Sequence, residues 1–356
     1  MDYNNLSLDR IKIEKEKEKE KKGKDRYRQR PCASGRYGRK MNEYSGELQD
    51  VKKEVKKVIA GKDAVIEKVL MAILAGGHVL MEDIPGVGKT TLALAFSKAM
   101  QLDYQRVQFT PDVLPSDIVG FSVLNSENQL EYKQGAVMCN VFLADEINRT
   151  SPKTQSALLE VMEEGTVTVD GNTWNVPKPF FVMATQNPIT SIGTQLLPES
   201  QLDRFMVRLT MGYPSMEQEI RMMKERHGQN PLEQVRPVLT AAQLQALQKQ
   251  VEQVFVHDAV YQYVARLTDA TRRHAYVQLG VSPRGTLALL SMTKARAYLE
   301  GRDYVVPEDV ATVFVDVCAH RLILEQKARM GHMQEKDILQ DILEQVARPA
   351  LKREER

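Results

Sequence analysis

The stretch MEDIPGVGKTT, residues 81–91, stands between an apolar run and a helical pattern, and its reading decides the fold. It holds the parts of a phosphate-binding turn. Gly86 and Gly88 fall where a backbone must come close to phosphate oxygens, with Val87 between them. Lys89 supplies a cation, Thr90 a hydroxyl for a divalent ion, and the helix from Thr91 onward an amino end that faces an anion. Pro85 stiffens the turn. The glycine that opens a GxxxxGK(S/T) loop is missing, and Asp83 occupies its slot. That departure falls where the chain leaves the strand, not at the glycines nearest the phosphates, so the working parts of the cradle remain.

Working outward, the run His78–Met81 reads as a first strand. Four more short apolar runs follow, at 102–109 (LDYQRVQF), 140–146 (NVFLADE), 179–187 (PFFVMATQN) and 204–211 (RFMVRLTM), each compatible with a buried strand. Helical patterns such as 90–100 and 153–163 separate them, and such alternation implies a mainly parallel α/β sheet. Two segments break the alternation. DIVGFSVLNSENQLEYKQGAV turns around Asn125–Asn128, and GTVTVDGNTWNV turns at Asp170-Gly171, so each reads as a β-hairpin added to the core. Before the first strand, Leu48, Val51, Val55, Val58 and Ile59 recur at helical spacing, break at Gly61, and resume through Val65 to Ile73. After MGYPS (211–215) the strand signals stop. Helices are expected at 216–226, 241–252, 257–272, 283–299, 307–325 and 336–347, with Ser282-Pro283 as a helix start and Gly301 as a stop.

Composition narrows the class. The chain has 356 residues, 42% hydrophobic and 27% charged, which suits a globular protein of two or three domains. Its apolar stretches are too short to span a bilayer, and the charged start lacks the apolar core of a secretory signal. Three separated cysteines, Cys32, Cys139 and Cys318, do not make a disulfide framework and point to a reducing, cytoplasmic setting. The six histidines are scattered, without the spacing of a zinc site. The net charge of +2 is uneven: residues 1–40 hold 14 Lys or Arg against 7 Asp or Glu, a net +7, so the remainder carries −5. The tail contains EKEKEKEKK (14–22), which has too little apolar surface to offset its ordering entropy and is expected to be disordered. A basic arm for nucleic acid or anionic lipid, or an extension upstream of a natural start at Met41, are the other readings of this tail.

Four further elements join the loop. VFLADEINR (141–149) ends an apolar strand in two carboxylates, beside the phosphate loop in an open sheet. Asp145 suits Mg²⁺ binding, and Glu146 suits activation of an attacking water. FVMATQNP (181–188) ends a strand in Asn187, an amide able to hydrogen-bond that water or a γ-phosphate. Arg204, in LPESQLDRF (197–205), precedes the last strand on the side where a neighbouring subunit would dock. Arg284, in SPRG, starts a helix whose own positive dipole disfavours it unless it meets an anion.

With these residues in place, the chain resembles the MoxR family of AAA+ ATPases. The resemblance rests on GGHVLMEDIPGVGKTTLA, LADEINRTSPKTQSALLEVMEEGTVTVDG, VMATQNPI, LPESQLDRF and SPRG, in family order, and covers about residues 46 to 350. It implies a P-loop NTPase core of α/β class with a parallel sheet and inserted hairpins, followed by an all-α lid. It implies Walker A at 86–91, Walker B at 141–146, Asn187 as sensor 1, Arg204 as arginine finger and Arg284 as sensor 2. Ile59 to Gly61 would border the adenine. One departure is QGAVMCN, where Ala136 and Met138 replace the proline and aromatic residue that the family tends to have before Walker B. The expected domains are a basic tail (1–45), a nucleotide-binding domain (46–213), a helical lid (214–350) and a charged end (351–356). The resemblance further implies ATP and Mg²⁺ as cofactors, a homo-oligomeric and generally hexameric ring, a client protein, and a partner bearing a von Willebrand A domain.

Two other function classes compete with an ATP-driven protein remodeller. A nucleic-acid motor or loader would need a basic stripe, which the −5 of residues 41–356 and sparse basics such as Lys133 and Lys178 do not provide. A non-hydrolysing nucleotide-gated scaffold has no need to keep Lys89, Asp145, Glu146, Asn187, Arg204 and Arg284 together.

Overall fold

The computed structural model describes residues 37–187, 197–225 and 231–349. The expectations for the tail through residue 36, for Cys32, for Pro188 and for the end at 351–356 lie outside the described residues. Residues from Tyr44 onward group into one compact unit. The first helix, Tyr37–Lys56, begins ahead of the residue 46 at which its apolar periodicity starts.

In chain order the strands are β1 (Val79–Glu82), β2 (Tyr104–Gln108), β3 (Gly120–Leu124), β4 (Leu130–Gln134), β5 (Val141–Asp145), β6 (Thr166–Val169), β7 (Asn172–Asn175), β8 (Phe181–Gln186), β9 (Val207–Leu209), β10 (Val277–Leu279) and β11 (Ile323–Leu324). Five of them form a sheet in the order β2-β5-β8-β1-β9, with every neighbouring pair parallel. The apolar runs of β1, β5 and β8 are buried, as central strands of a sheet covered on both faces must be. β2 differs from its expectation. It is an edge strand, with Gln105, Arg106 and Gln108 exposed, and such side chains discourage another chain from pairing along that edge.

Both hairpins form. β3 pairs antiparallel with β4 from Gly120↔Gln134 to Leu124↔Leu130, and the Asn125 carboxamide accepts the N–H groups of Glu127 and Gln129 across the turn. β6 pairs with β7 around Asp170 and Gly171, both at positive φ, the combination a two-residue hairpin turn requires. Tyr132 of one hairpin stacks on Trp174 of the other at 4.0 Å between ring centroids, which ties the two insertions together. The QGAVMCN departure is absorbed locally: Ala136 and Val137 donate to the carbonyls of Asp117 and Ile118, and Ala136 and Met138 pack against the core.

Beyond β9 the chain is helical at Met216–Glu225, Ala241–Glu252, Asp258–Arg273, Pro283–Leu299, Pro307–Cys318, Gln326–Met330 and Glu335–Gln345. Ser282 caps its helix by accepting the N–H of Gly285, with Pro283 in the first turn. Here two expectations are corrected. The helix foreseen over 307–325 ends at Cys318, followed by a 3-10 turn at Ala319–Arg321, and strands do not stop after 211–215, since β10 and β11 pair antiparallel. Arg321 is the physical reason. Its buried guanidinium turns inward to Asp203 Oδ1 (2.7 Å) and the Phe205 carbonyl (2.7 Å), so the backbone leaves the helical path to deliver it. Ribbons of two and three residues are too short to show periodicity.

Cys139 and Cys318 are free and buried, and burial pushes both thiols up to about 12, so neither is reactive. No helix among the described residues is long and apolar enough to cross a membrane.

His78, just ahead of β1, fixes the foot of the sheet. Its Nε2 donates to the Met162 carbonyl (3.0 Å) and its Nδ1 accepts the Val182 N–H (3.0 Å), a tautomer assigned from these partners. Burial pushes its pKa down from 6.5 to about 4, the Met162 carbonyl opposing. A folded value below the unfolded one means that the neutral ring contributes stability present above about pH 6.5 and lost as pH falls toward 4. The loss is about 3 kcal/mol from this residue. His78→Gln can keep both hydrogen bonds without titrating. Urea unfolding at neutral and acid pH is expected to show a flatter pH dependence for this variant, with buried His320, also held well below its ordinary value by burial and Arg321, carrying part of the remaining slope.

Candidate functional site

The phosphate loop leaves the carboxyl end of β1 and enters the helix Lys89–Ala99. Gly86 (φ +85) and Gly88 (φ +98) both adopt the left-handed region, where a side chain would strain the turn. A Cβ on Gly88 would stand 3.6 Å from Ile59, which is how the residue expected at the adenine edge comes to border the loop. Gly61, at φ +71, lies two residues beyond Ile59, and its carbonyl accepts the Gln218 amide (3.4 Å). Pro85 and Gly86 are exposed, while Val87, Thr90 and Thr91 are half-buried where the helix begins. Lys89 Nζ donates to the carbonyls of Asp83 (2.7 Å) and Ile84 (3.3 Å). Burial lowers the Lys89 pKa, and Asp83, Asp145 and Glu146 oppose that shift, so both strand-end carboxylates act electrostatically on the loop lysine.

The carboxylates reach the lysine from farther than expected. β5 does not lie beside β1, because β8 runs between them. That intervening strand supplies the connection: Thr185 Oγ1 donates to Asp145 Oδ1 (2.6 Å) and accepts the Glu146 N–H (2.9 Å). Asp145 Oδ2 takes the Arg106 guanidinium from edge strand β2 (2.7 Å). Glu146 adopts a left-handed backbone (φ 57, ψ 48), a strained conformation for a residue with a Cβ, and its carboxylate pairs with Arg149 (2.5 Å). Asn187 follows β8 directly, and its carbonyl faces the Asn148 amide at 3.5 Å.

Arg204 and Arg284 are elsewhere. Arg204 precedes β9, two residues before Met206, whose N–H meets the His78 carbonyl ahead of β1. It therefore lies at the amino ends of the strands, whereas Lys89 lies past their carboxyl ends, a strand length of roughly 13 Å away. There Arg204 Nη1 donates to the Leu159 carbonyl (2.7 Å) and pairs with Glu163 (3.0 Å), beside a polar cleft of about 360 Å³ lined by Glu160, Glu163 and Gln201. Arg284 pairs with the other oxygen of the same Glu163. This carboxylate is the anion that Arg284 needed at its helix start. The structure thus brings the two arginines together, and brings neither to the phosphate loop of its own chain.

Several residues of the site were not singled out in the sequence. Thr185 had a signal, a hydroxyl inside an otherwise apolar strand, because a buried hydroxyl needs a partner. Arg106, Arg149 and Glu163 look like ordinary surface charges until their partners are known. Asp203 and Arg321 clamp the Arg204 segment, with Asp203 also accepting the Ser282 hydroxyl (2.8 Å). Gly285 of SPRG has its reason here, since a Cβ would stand 2.6 Å from Arg321 Cδ.

A parallel sheet in this order, with a glycine cradle, a carboxylate pair and a helical lid, is the arrangement of the AAA class of ATPases. The family model for ATPases associated with various cellular activities matches residues 78–207, and that for the AAA lid domain matches residues 269–342. The chain is 46% identical to the uncharacterised protein YeaC of Bacillus subtilis, over 83% of this chain and 92% of that one. It is 40% identical to the chaperone MoxR1 of Mycobacterium tuberculosis (83% and 81%) and 31% identical to the protein MoxR of Methylorubrum extorquens (83% and 94%). A crystal structure of a candidate ATPase from Cytophaga hutchinsonii superposes with a TM-score of 0.82 at 36% identity, covering 88% of this chain and 98% of that one. A full-length MCM homologue from Methanopyrus kandleri shares the fold alone, at a TM-score of 0.54 and 16% identity, covering 87% of this chain and 62% of that one. The chain belongs to the MoxR family of AAA+ ATPases.

Proposed function

We propose that this chain binds and hydrolyses MgATP between protomers of a homo-oligomeric, hexameric ring in the cytoplasm, and uses the cycle to remodel client protein complexes together with a von Willebrand A domain partner. Residues 46–213 would form the nucleotide-binding part and 214–350 the lid, with 1–45 and 351–356 outside both. One observation carries the reading: Lys89, Asp145 and Glu146 gather at one end of the strands, while Arg204 and Arg284 gather at the other. An arginine pair facing away from its own loop fits a site completed by a neighbour.

The donor set suits the nucleotide and its ion. The left-handed glycines and the first turn of the helix Lys89–Ala99 make an anion cradle, and the Thr90 hydroxyl with the Asp145 carboxylate are the hard oxygen donors that Mg²⁺ takes. When bound, Mg²⁺ would neutralise charge on the phosphates. Lys89 would move from the Asp83 carbonyl to phosphate oxygens. Glu146, released from Arg149, would accept the proton of the attacking water, and Asn187 would orient that water. Arg204 and Arg284 would leave Glu163 for the transferring phosphoryl group of the adjacent protomer.

A protein client is favoured over nucleic acid by the first hairpin. Phe121, Leu124 and Leu130 are exposed there, and its Lys133 is already paired with Glu131, so the surface it offers is apolar and not basic.

The test is ATP turnover per protomer of the full chain as protein concentration rises, with sedimentation as a parallel record of assembly. Specific activity is expected to climb as rings form. Activity that stays constant while the protein sediments as a monomer would refute the shared site, and ATP binding without turnover in assembled rings would remove hydrolysis from the reading.

A further inference from the structure

The slot where a phosphate loop usually has its first glycine holds Asp83, and its surroundings explain the exchange. Asp83 is 5% exposed, and each of its polar atoms has a partner. Its N–H donates to the Gln186 carbonyl at the end of β8 (3.1 Å), and its carbonyl accepts Lys89 (2.7 Å). Oδ1 accepts the Ile84 N–H (3.0 Å), which pins the mouth of the loop. Oδ2 accepts the N–H groups of Met211 (2.5 Å) and Gly212 (2.7 Å), which lie 128 and 129 residues further on. Those two residues leave β9 and lead toward the helix Met216–Glu225 that follows the sheet. Gly212, at φ +63, is where the chain changes direction.

From this we infer that Asp83 is a positioning residue that couples occupancy of the phosphate loop to the hinge between the sheet and the lid. The inference rests on the ATP-site reading proposed above. A glycine in this slot would give the same turn but no acceptor, leaving the buried N–H groups of Met211 and Gly212 without this partner. The aspartate instead makes one residue a member of three segments: loop, strand β8 and hinge. Lys89 reports the state of the loop directly to it, because the ammonium rests on the Asp83 carbonyl and must leave when a phosphate draws it away. A shift of the Asp83 backbone then moves the carboxylate that holds Met211 and Gly212. Neighbouring bonds give the hinge a second hold on the same side, Lys62 donating to the Tyr213 carbonyl (2.9 Å) and Gln218 to that of Gly61. These hold the segment from the side of Lys62 and Gly61, whereas the Asp83 carboxylate is its polar link to the mouth of the phosphate loop, where Lys89 rests.

The experiment compares the full-length wild type with Asp83→Gly and Asp83→Asn. It measures affinity for a fluorescent ATP analogue, kcat and KM, and amide hydrogen exchange over residues 207–220 with and without nucleotide. In the wild type, nucleotide is expected to change exchange in both the loop and the 211–218 segment. In Asp83→Gly, affinity is expected to stay within about threefold while kcat falls about tenfold, within what misplacement by a substitution away from the chemistry can cost, and the exchange response is confined to the loop. Asp83→Asn keeps one acceptor oxygen and is expected to restore part of the response. A purely structural tether would raise exchange equally in both nucleotide states and leave the nucleotide-induced difference intact, and that outcome overturns the inference. So does either variant matching the wild type in kcat and in hinge response. If the wild type binds no nucleotide, the ATP-site reading fails and this inference falls with it. If the wild type responds and Asp83→Gly does not fold, Asp83→Asn alone decides.

Discussion

A Glu146→Gln protein is expected to bind ATP as the wild type does and to hydrolyse it at least about 100-fold more slowly, the scale of losing a general base. The substitution is confined to one proton-accepting oxygen. Glu146 is held by its backbone, through its N–H to Thr185 and its left-handed φ, so glutamine can occupy the same position. The loop residues proposed to grip phosphate are untouched. Removing the charge also weakens the pairing with Arg149, which blocks the carboxylate in the resting arrangement. Single-turnover hydrolysis with saturating protein, alongside equilibrium binding of ATP, separates the two effects. A variant that turns over within tenfold of the wild type would show that another group activates the water.

The second large effect concerns the arginines. Arg204→Ala and Arg284→Ala are each expected to lower turnover about 1000-fold, as for an arginine finger, with ATP affinity nearly unchanged in the isolated protomer. Their position makes the stronger prediction. Because both sit on Glu163 at the amino ends of the strands, away from their own loop, they are proposed to serve a neighbour's nucleotide. Mixing the double variant Arg204→Ala/Arg284→Ala with Lys89→Ala is therefore expected to restore activity that neither has alone. At some interfaces an intact loop then meets an intact arginine pair. If mixed rings form, as shown by co-purification of two differently tagged chains, and stay inactive, the arginines act within their own chain or have no role in hydrolysis. Recovery with Arg204→Ala but not with Arg284→Ala as the single arginine variant would assign the neighbouring role to Arg204 alone.

Much of this site was legible because its parts are local. The glycine cradle, the carboxylate pair after an apolar strand, the Asp170-Gly171 turn and the Ser282 cap each depend on backbone conformations set within a few residues. The strand-and-helix alternation implied the parallel sheet for the same reason. Weak local signals mislead where tertiary context decides. β2 passed for a buried strand because Leu102, Val107 and Phe109 are apolar, and only the sheet order puts Gln105, Arg106 and Gln108 at an edge. The helix after Pro307 reads as continuing because its apolar spacing persists past Cys318, and it ends where Arg321 turns in to Asp203 and the Phe205 carbonyl.

The sequence by itself determined the class of protein: a candidate phosphate loop, its carboxylates, two hairpins and a helical lid, all written in patterns whose range is one turn or one strand. Tertiary structure alone decided which charges meet. It set Thr185 between Asp145 and Glu146, gave Glu163 two arginines, and tied Asp83 to a hinge 128 residues away. The physical reason is that periodicity and turn conformation are properties of a short segment, whereas the partner of a carboxylate is whichever donor the packing of the whole chain brings within hydrogen-bond reach.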